Sequence, residues 1–415
     1  MARTDRALVS RFGDVWLLEG CRTPFVDYTG ALSHISPTDL GIKVAREVLK
    51  RAGVDPVEVD AVVAGNMAQA SFDAFFLPRH IGIYAGVPIE VPAHLVQRIC
   101  GTGIEALIQA GDLAAAGKVA LALVVGAESM SRNPVAAYTH RSGFRLGQIE
   151  FKDFLWEALE DTGCNTTMGG TAENLARKHG ITRAEVDAFA ARSFARALAA
   201  QQSGFLAGEI VAVVGESFAR EGFETRSIKL RGKEEAVAVD SHVRPSPVEA
   251  LAKIRPAFGG VQTGGNSSAV VDGAAAALVA TGQYRKAWGK RPLGRMVAGA
   301  SVGVSPAEMG IGPVPAIKAV LDAAHLPLTA IDRVEINEAF GAQAMACARE
   351  LGLDETRLNV NGGAIAIGHP LAATGVRLSV TVARELQRAG KRYGIASACI
   401  GGGQGIALLI ESASG

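Results

Sequence analysis

The sequence predicts two similar α/β halves with a segment inserted between them, and three observations carry that prediction. The first is a repeat. Residues 48–70 read VLKRAGVDPVEVDAVVAGNMAQA and residues 320–344 read VLDAAHLPLTAIDRVEINEAFGAQA. Val48-Leu49 aligns with Val320-Leu321, Asp60 with Asp332 and Val62 with Val334, each pair 272 residues apart (332 − 60). The same offset lays Thr102-Gly103 on Thr374-Gly375. A register held over this length marks two copies of one supersecondary unit. The second observation is that helical patterns alternate with apolar runs, which implies α/β layers around a mainly parallel sheet. The third is a change of texture from Ser131 to Gly259, where charge rises and the repeat pauses. The division expected is residues 1–130 with 260–282 as one half, 131–259 as the insertion and 283–415 as the other half.

Taken in order, Leu40, Val44, Val48 and Leu49 share one helical face. Ser36, Thr38 and Asp39 are the N-cap candidates of that helix, and Gly53 stands near its C-cap. Val59-Asp-Ala-Val-Val63 reads as a strand. A second helix opens at Cys100 (GIEALIQAGDLAAAGK) and feeds the apolar run Val119–Val125, a buried strand. In the insertion, ITRAEVDAFAARSFARALAAQQSG is helical and stops at Gly204. The stretch Arg226–Lys233 is basic and reads either as a contact for a phosphorylated ligand or as a solvated hairpin. In the second copy, the apolar run at Val334–Ile336 leads into Asn337-Glu338-Ala339-Phe340.

Bulk composition narrows the function classes. At 415 residues the chain exceeds one ordinary core. A net charge of +1 gives no global attraction to nucleic acid or an anionic membrane. Val119–Val125, a wholly apolar run that none exceeds in length, is far short of the ~20 residues a membrane span needs. MARTDRALVSRFGD has no apolar signal core, and ESASG is not a peroxisomal address. Five scattered cysteines without a CxxC pair argue for a reducing compartment and against a zinc ribbon, so a cytoplasmic enzyme is expected.

Chemistry concentrates in three places. His369 lies in Gly-His-Pro, and Cys399 runs into Ile400-Gly401-Gly402-Gly403. Such turns let a substrate approach the backbone. On these residues alone the pair reads equally well as core packing, since a lone cysteine is commonly a small buried hydrophobe. Cys100 stands at a helix start, where the dipole and free amides favour a thiolate, the form that acts as a nucleophile. Asn337 ends a strand, where α/β folds gather functional side chains. Asn266-Ser267-Ser268 either binds a ligand or caps a helix. There is no GxSxG elbow, no HExxH, and no P-loop, because GDLAAAGK has the wrong spacing. No metal site is expected.

With Cys100, NEAF, GHP and CIGGGQG placed, the chain resembles the thiolase family over nearly its whole length. Gly126–Ser131, Met168–Asn174, Arg255–Phe258 and Gly265–Ser268 also match. The resemblance implies duplicated halves layered α/β/α/β/α with a loop domain inserted in the first. It implies that Cys100 accepts the acyl group and that His369 takes its proton. Cys399 would serve as acid and base, and Asn337 would hold a water for an oxyanion hole with His369. The amides of Cys100 and Gly401 would form a second hole. Met168 and Ser268 would line the substrate, with Arg244 near the adenine end of coenzyme A. Coenzyme A is then a substrate and no permanent cofactor is implied; acyl-CoA and acetyl-CoA are the other partners, in a homodimer or homotetramer. The alternatives are a decarboxylating condensing enzyme and a non-catalytic acyl-CoA or lipid carrier. Two departures bear on the site. Ala372-Ala373-Thr374-Gly375 stands where the family usually has Gly-x-Ser-Gly, and Thr167 stands where acetoacetyl-specific members keep histidine. A third, Arg22-Thr-Pro-Phe25, lacks the glycine common after that motif.

Overall fold

Small residues decide how the two copies meet. A Cβ on Gly103 would lie 2.6 Å from the carbonyl oxygen of Ala372, and one on Gly375 would overlap the backbone nitrogen of Ile104. The repeated Thr-Gly pair is therefore the point where two helices cross at backbone distance. These helices are α3 (Thr102–Ala115) and α8 (Leu371–Ala389). Every residue of α8 from Leu371 to Ala383 is buried, as a helix packed against strands of both halves must be.

The computed structural model describes residues 6–68, 73–138, 140–230, 232 and 234–413. In the first half the strands are β1 (Leu8–Arg22), β2 (Ala61–Gly65), β3 (Ala93–Val96), β4 (Leu121–Ser129) and β5 (Val271–Thr281). The second half contributes β6 (Gly294–Gly303), β7 (Arg333–Ile336), β8 (Tyr393–Ile400) and β9 (Gln404–Ser412). They run in the order β7-β8-β9-β6-β1-β5-β4-β2-β3, with Val26–Asp27 added beside β5. Helix α1 (Pro37–Ala52) packs on β1, β4 and β5, with α2 (Leu77–Ala85) beside it. Helices α3 and α8 fill the middle, α8 touching β4 and β5 on one side and β7, β8 and β9 on the other. On the far side, α6 (Pro313–Ala324) covers β6, β8 and β9, and α7 (Gly341–Leu351) follows β7 in the chain. The result is the expected layering α/β/α/β/α. The chain from Ser131 to Gly259 supplies α4 (Met168–Lys178), α5 (Arg183–Gln202) and short hairpins.

One expectation is corrected. The sheet is mixed rather than mainly parallel, since only β2–β3, β2–β4 and β7–β8 are parallel. Helical crossovers make parallel neighbours only for the strands they join, whereas β8 returns to β9 through a tight turn and pairs antiparallel.

Local signals place the elements well. Ser36 caps α1 by accepting from the Thr38 amide, and Gly53 closes the helix at φ 63°. The strand expected at Val59–Val63 begins two residues later, because a capping box at Asp55–Glu58 holds a short 3₁₀ turn ahead of it. Arg226 belongs to a hairpin, Arg226–Ile228 against Glu216–Phe218. Its guanidinium is committed to Asp39 at 2.6 Å and Asp73 at 2.5 Å, so it is not a free phosphate contact. Arg231 and Lys233 of the same basic stretch lie outside the described residues.

The candidate active site

Cys100 sits in a single 3₁₀ turn, Ile99–Gly101, directly before α3. The turn is tight enough to hold Ile99 at φ 44°, a left-handed conformation unfavourable for a β-branched residue. Gly101 permits it to press on the β8–β9 hairpin, since a Cβ there would meet Ile400 Cδ1 at 2.5 Å. Around the sulfur lie Met67, Ala68, Met130, Leu155 and Leu371. The amides of Gly401 and of Cys100 itself both reach it.

The expected resting thiolate is corrected by this burial. Desolvation pushes the Cys100 thiol up to about 11, and the two amide hydrogen bonds offset it only in part. A helix N-terminus favours the anion, but removing the sulfur from water disfavours it more.

His369 is placed by its neighbours in sequence. Gly368 takes φ 104°, and a Cβ there would also strike Val271, so only glycine turns the chain at this point. The His369 amide then donates to the Ala269 carbonyl at 3.0 Å. On the ring, Nδ1 lies 2.6 Å from Thr374 Oγ1 and Nε2 lies 3.3 Å from Asn337 Nδ2. Because the Asn337 amide nitrogen is a donor, Nε2 accepts and Nδ1–H donates to Thr374. Burial, with the nearby Arg377 charge, pulls the imidazole down to about 3, so the ring is neutral with its lone pair on Nε2. Asn337 is fully buried at the end of β7, and its Oδ1 has no hydrogen-bond partner among the described residues.

Cys399 is the penultimate residue of β8, also fully buried. It clusters with Met168, Met309 and Ala339, with Phe340 and Leu159 packed alongside. Desolvation, then the adjacent Cys100 and Cys347 sulfurs, hold its thiol well above the ordinary range. Thus Cys100 from the first copy meets Cys399 and Gly401 from the second, while Leu371 links the His369 turn to the Cys100 cluster. Two thiols and backbone donors from both copies thus meet in one place, a combination that suits making or breaking a bond beside a carbonyl. Among the described residues no cluster of histidine, cysteine or carboxylate could hold a metal ion.

The models of the thiolase N-terminal and C-terminal domains match residues 15–283 and 290–412. The human protein named mitochondrial 3-ketoacyl-CoA thiolase is 40% identical over 402 residues, 96% of this chain and 98% of that one. A Pseudomonas aeruginosa acetyl-CoA acetyltransferase is 40% identical over 408 residues, 96% of this chain and 99% of its own. The crystal structure of the human mitochondrial enzyme in complex with CoA superposes with a TM-score of 0.90, at 40% identity, covering 96% and 98% of the two chains. The chain belongs to the thiolase family. It is accordingly an acyltransferase of the thiolase type.

Against that background the remaining residues can be located. Met168 touches the Cys399 cluster, and its sulfur lies 3.0 Å from where a Gly401 Cβ would be. Ser268 is half-buried, and its amide donates to the Ala339 carbonyl at 3.0 Å; β5 rather than a helix follows, so the Asn-Ser-Ser run is not a helix cap. Arg244 is exposed, 3.0 Å from His242 Nδ1 and over the Phe194 ring; no hydrogen bond or ion pair ties it to the cysteines. Ala372 directs its methyl toward Gly65 in β2, and its amide donates to Glu128 at 3.2 Å. Thr167 caps α4 by accepting from the Gly170 amide.

Sequence reading assigned no role to Glu128, although it stands in the Gly126–Ser131 run. It is buried and accepts from Asn66, Met67, Ala68 and Ala372, tying the loop after β2 to the start of α8. Burial nevertheless lifts its carboxyl to about 7. An acid inside the apolar strand LALVVGAES was the signal.

Proposed function

We propose that the chain catalyses 3-ketoacyl-CoA + CoA ⇌ acyl-CoA + acetyl-CoA through an acyl-Cys100 intermediate. The observation that carries this reading is the meeting of Cys100, Cys399 and the Gly401 amide across the two copies. In thiolysis, His369 Nε2 takes the Cys100 proton as the sulfur attacks the 3-keto carbon. The C2–C3 bond breaks, and its electron pair leaves as the enolate of acetyl-CoA. His369 and a water held by Asn337 stabilise that oxygen, and the Cys399 thiol gives its proton to C2. Cys399, now a thiolate, takes the proton of incoming CoA, whose sulfur attacks the acyl-Cys100 carbonyl. The Cys100 and Gly401 amides hold that oxyanion until acyl-CoA departs, and the imidazolium returns its proton to Cys100.

Met168 and Ser268 lie along the bound thioester in this reading, with Arg244 toward the adenine end. Thr167, committed to a helix cap, leaves room for 3-ketoacyl chains beyond acetoacetyl. The division into residues 1–130 with 260–282, 131–259 and 283–415 is retained on the layering of the strands. A homodimer or homotetramer is proposed from family membership alone. A cytoplasmic location is supported by five cysteines that are all free; the mitochondrial name of the human relative stands beside it. No helix among the described residues is long and apolar enough to cross a membrane.

The test is mass spectrometry after brief exposure to acyl-CoA, with Cys100→Ala as control. The adduct should sit on Cys100 alone, and Cys100→Ala should lose at least about 10³-fold in kcat. Near-normal thiolysis by Cys100→Ala, or an adduct on another cysteine, would overturn the reading.

A further inference from the structure

Two turns that carry the reacting groups come from opposite copies of the repeat, and one side chain spans them. Arg98 directly precedes the strained Ile99. Its backbone is tied into the Cys100 turn at both ends: its amide donates to Thr102 Oγ1 at 2.9 Å, and its carbonyl accepts from the Gly101 amide at 2.9 Å. Its guanidinium leaves the turn. Nε pairs with Glu105 Oε2 at 3.0 Å, one turn along α3, while Nη1 donates to Gln404 Oε1 at 2.9 Å. Gln404 opposes Ile400 across the β8–β9 hairpin, on the last rung before Gly401–Gly403. The hairpin turn is clamped from its other side as well, where the Val304 amide donates to the Gly403 carbonyl at 2.7 Å.

The geometry points to Arg98 as a positioning residue that holds the Cys100 turn in register with the Gly401 turn. Gly401 must place its amide on whatever oxygen forms at Cys100, yet it belongs to a turn some three hundred residues away in the chain. Glu105 holds one edge of the guanidinium on α3 while the other edge reaches Gln404. The planar fork suits that double duty, whereas a lysine ammonium is a compact point charge without two fixed edges to span the partners. Arg98 touches no reacting atom in this account. The inference rests on the proposed role of Cys100 as acyl acceptor and goes beyond it to what aligns the oxyanion donor.

The experiment is single-turnover kinetics on the full chain, following acyl-Cys100 by mass spectrometry as it forms from a 3-ketoacyl-CoA and as it is discharged by CoA. Arg98→Ala should reach a normal acyl-enzyme amplitude but discharge about 10- to 100-fold more slowly, with KM for CoA little changed, as expected when one oxyanion donor is misaligned rather than deleted. Gln404→Leu should show the same loss without altering charge. Arg98→Lys should not rescue, and the double variant should be no slower than Arg98→Ala. Wild-type discharge rates in Arg98→Ala or Gln404→Leu would overturn the inference. So would reduced amplitude with unchanged rate constants, which marks a merely structural role, or full rescue by lysine, which marks a charge effect. Failure of the underlying reading is separate, since it would show as an adduct that survives Cys100→Ala.

Discussion

Thr374 offers a sharp test of how the base is prepared. Its hydroxyl accepts from His369 Nδ1 at 2.6 Å, in a position with no solvent exposure. Thr374→Val keeps shape and volume but removes the acceptor. Water cannot replace it there, so the imidazole must either bury an unpaired N–H or move its proton to Nε2, facing the Asn337 amide that is itself a donor. Leaving a buried donor unpaired costs about 1–3 kcal/mol. If that free energy separates the reactive tautomer from the alternative, kcat falls about 5- to 150-fold. Thr374→Ser keeps the oxygen and should stay within about fourfold of wild type, since about 0.8 kcal/mol is the scale of one lost buried carbon. The assay is initial-rate thiolysis of acetoacetyl-CoA by absorbance, with thermal melting as a fold control. Full kcat in a well-folded Thr374→Val would refute the argument that this contact sets the tautomer.

Three further outcomes follow from the same structure. Gly103→Val forces a side chain against the Ala372 carbonyl, a backbone atom 2.6 Å from its Cβ; a loss of about 3 kcal/mol or more, or insoluble expression, is expected, and a wild-type melting temperature would contradict the crossing. Because His369 is held at about 3 rather than 6.5, acylation of Cys100 should show no inflection near pH 6.5 between pH 5 and 9. Unfolding frees that imidazole to take a proton, so its stabilising contribution is complete above pH 6.5. It is lost as pH falls toward 3, at about 1.4 kcal/mol per unit, measurable by urea titration. Arg22→Met strands the buried carboxylates of Asp240, 2.6 Å from the guanidinium, and Glu209, at 3.1 Å; a loss of about 3–5 kcal/mol is expected by denaturant unfolding, and a neutral result would show that the carboxylates are solvated.

Reading the chain succeeded where the controlling physics is local. Ser36 and Gly53 bound α1, and the helix ahead of Gly204 ends at Gln202, because caps act on the nearest amides and carbonyls. Val119–Val125 placed β4 to within a few residues, because an apolar run of that length must be buried. It failed at Arg226, whose partners Asp39 and Asp73 are remote in sequence, and at strand direction, which depends on how the halves join.

The same boundary runs through the site. Sequence alone determined which residues are chemically equipped: Cys100 at a helix start, His369 and Cys399 in glycine turns, Asn337 at a strand end, and a repeat that relates the first to the second. The repeated Thr-Gly pair was legible too, but not that its glycines let α3 and α8 cross at backbone distance. Only the tertiary structure decided the protonation states and the alignment. Burial raises Cys100 to about 11 and lowers His369 to about 3, reversing the thiolate expected from the helix dipole. Desolvation is summed over every atom packed around a group, and those atoms come from both copies. Nor could the chain order reveal that Arg98 reaches Gln404, because a hydrogen bond is set by distance in space and the two residues share none in sequence.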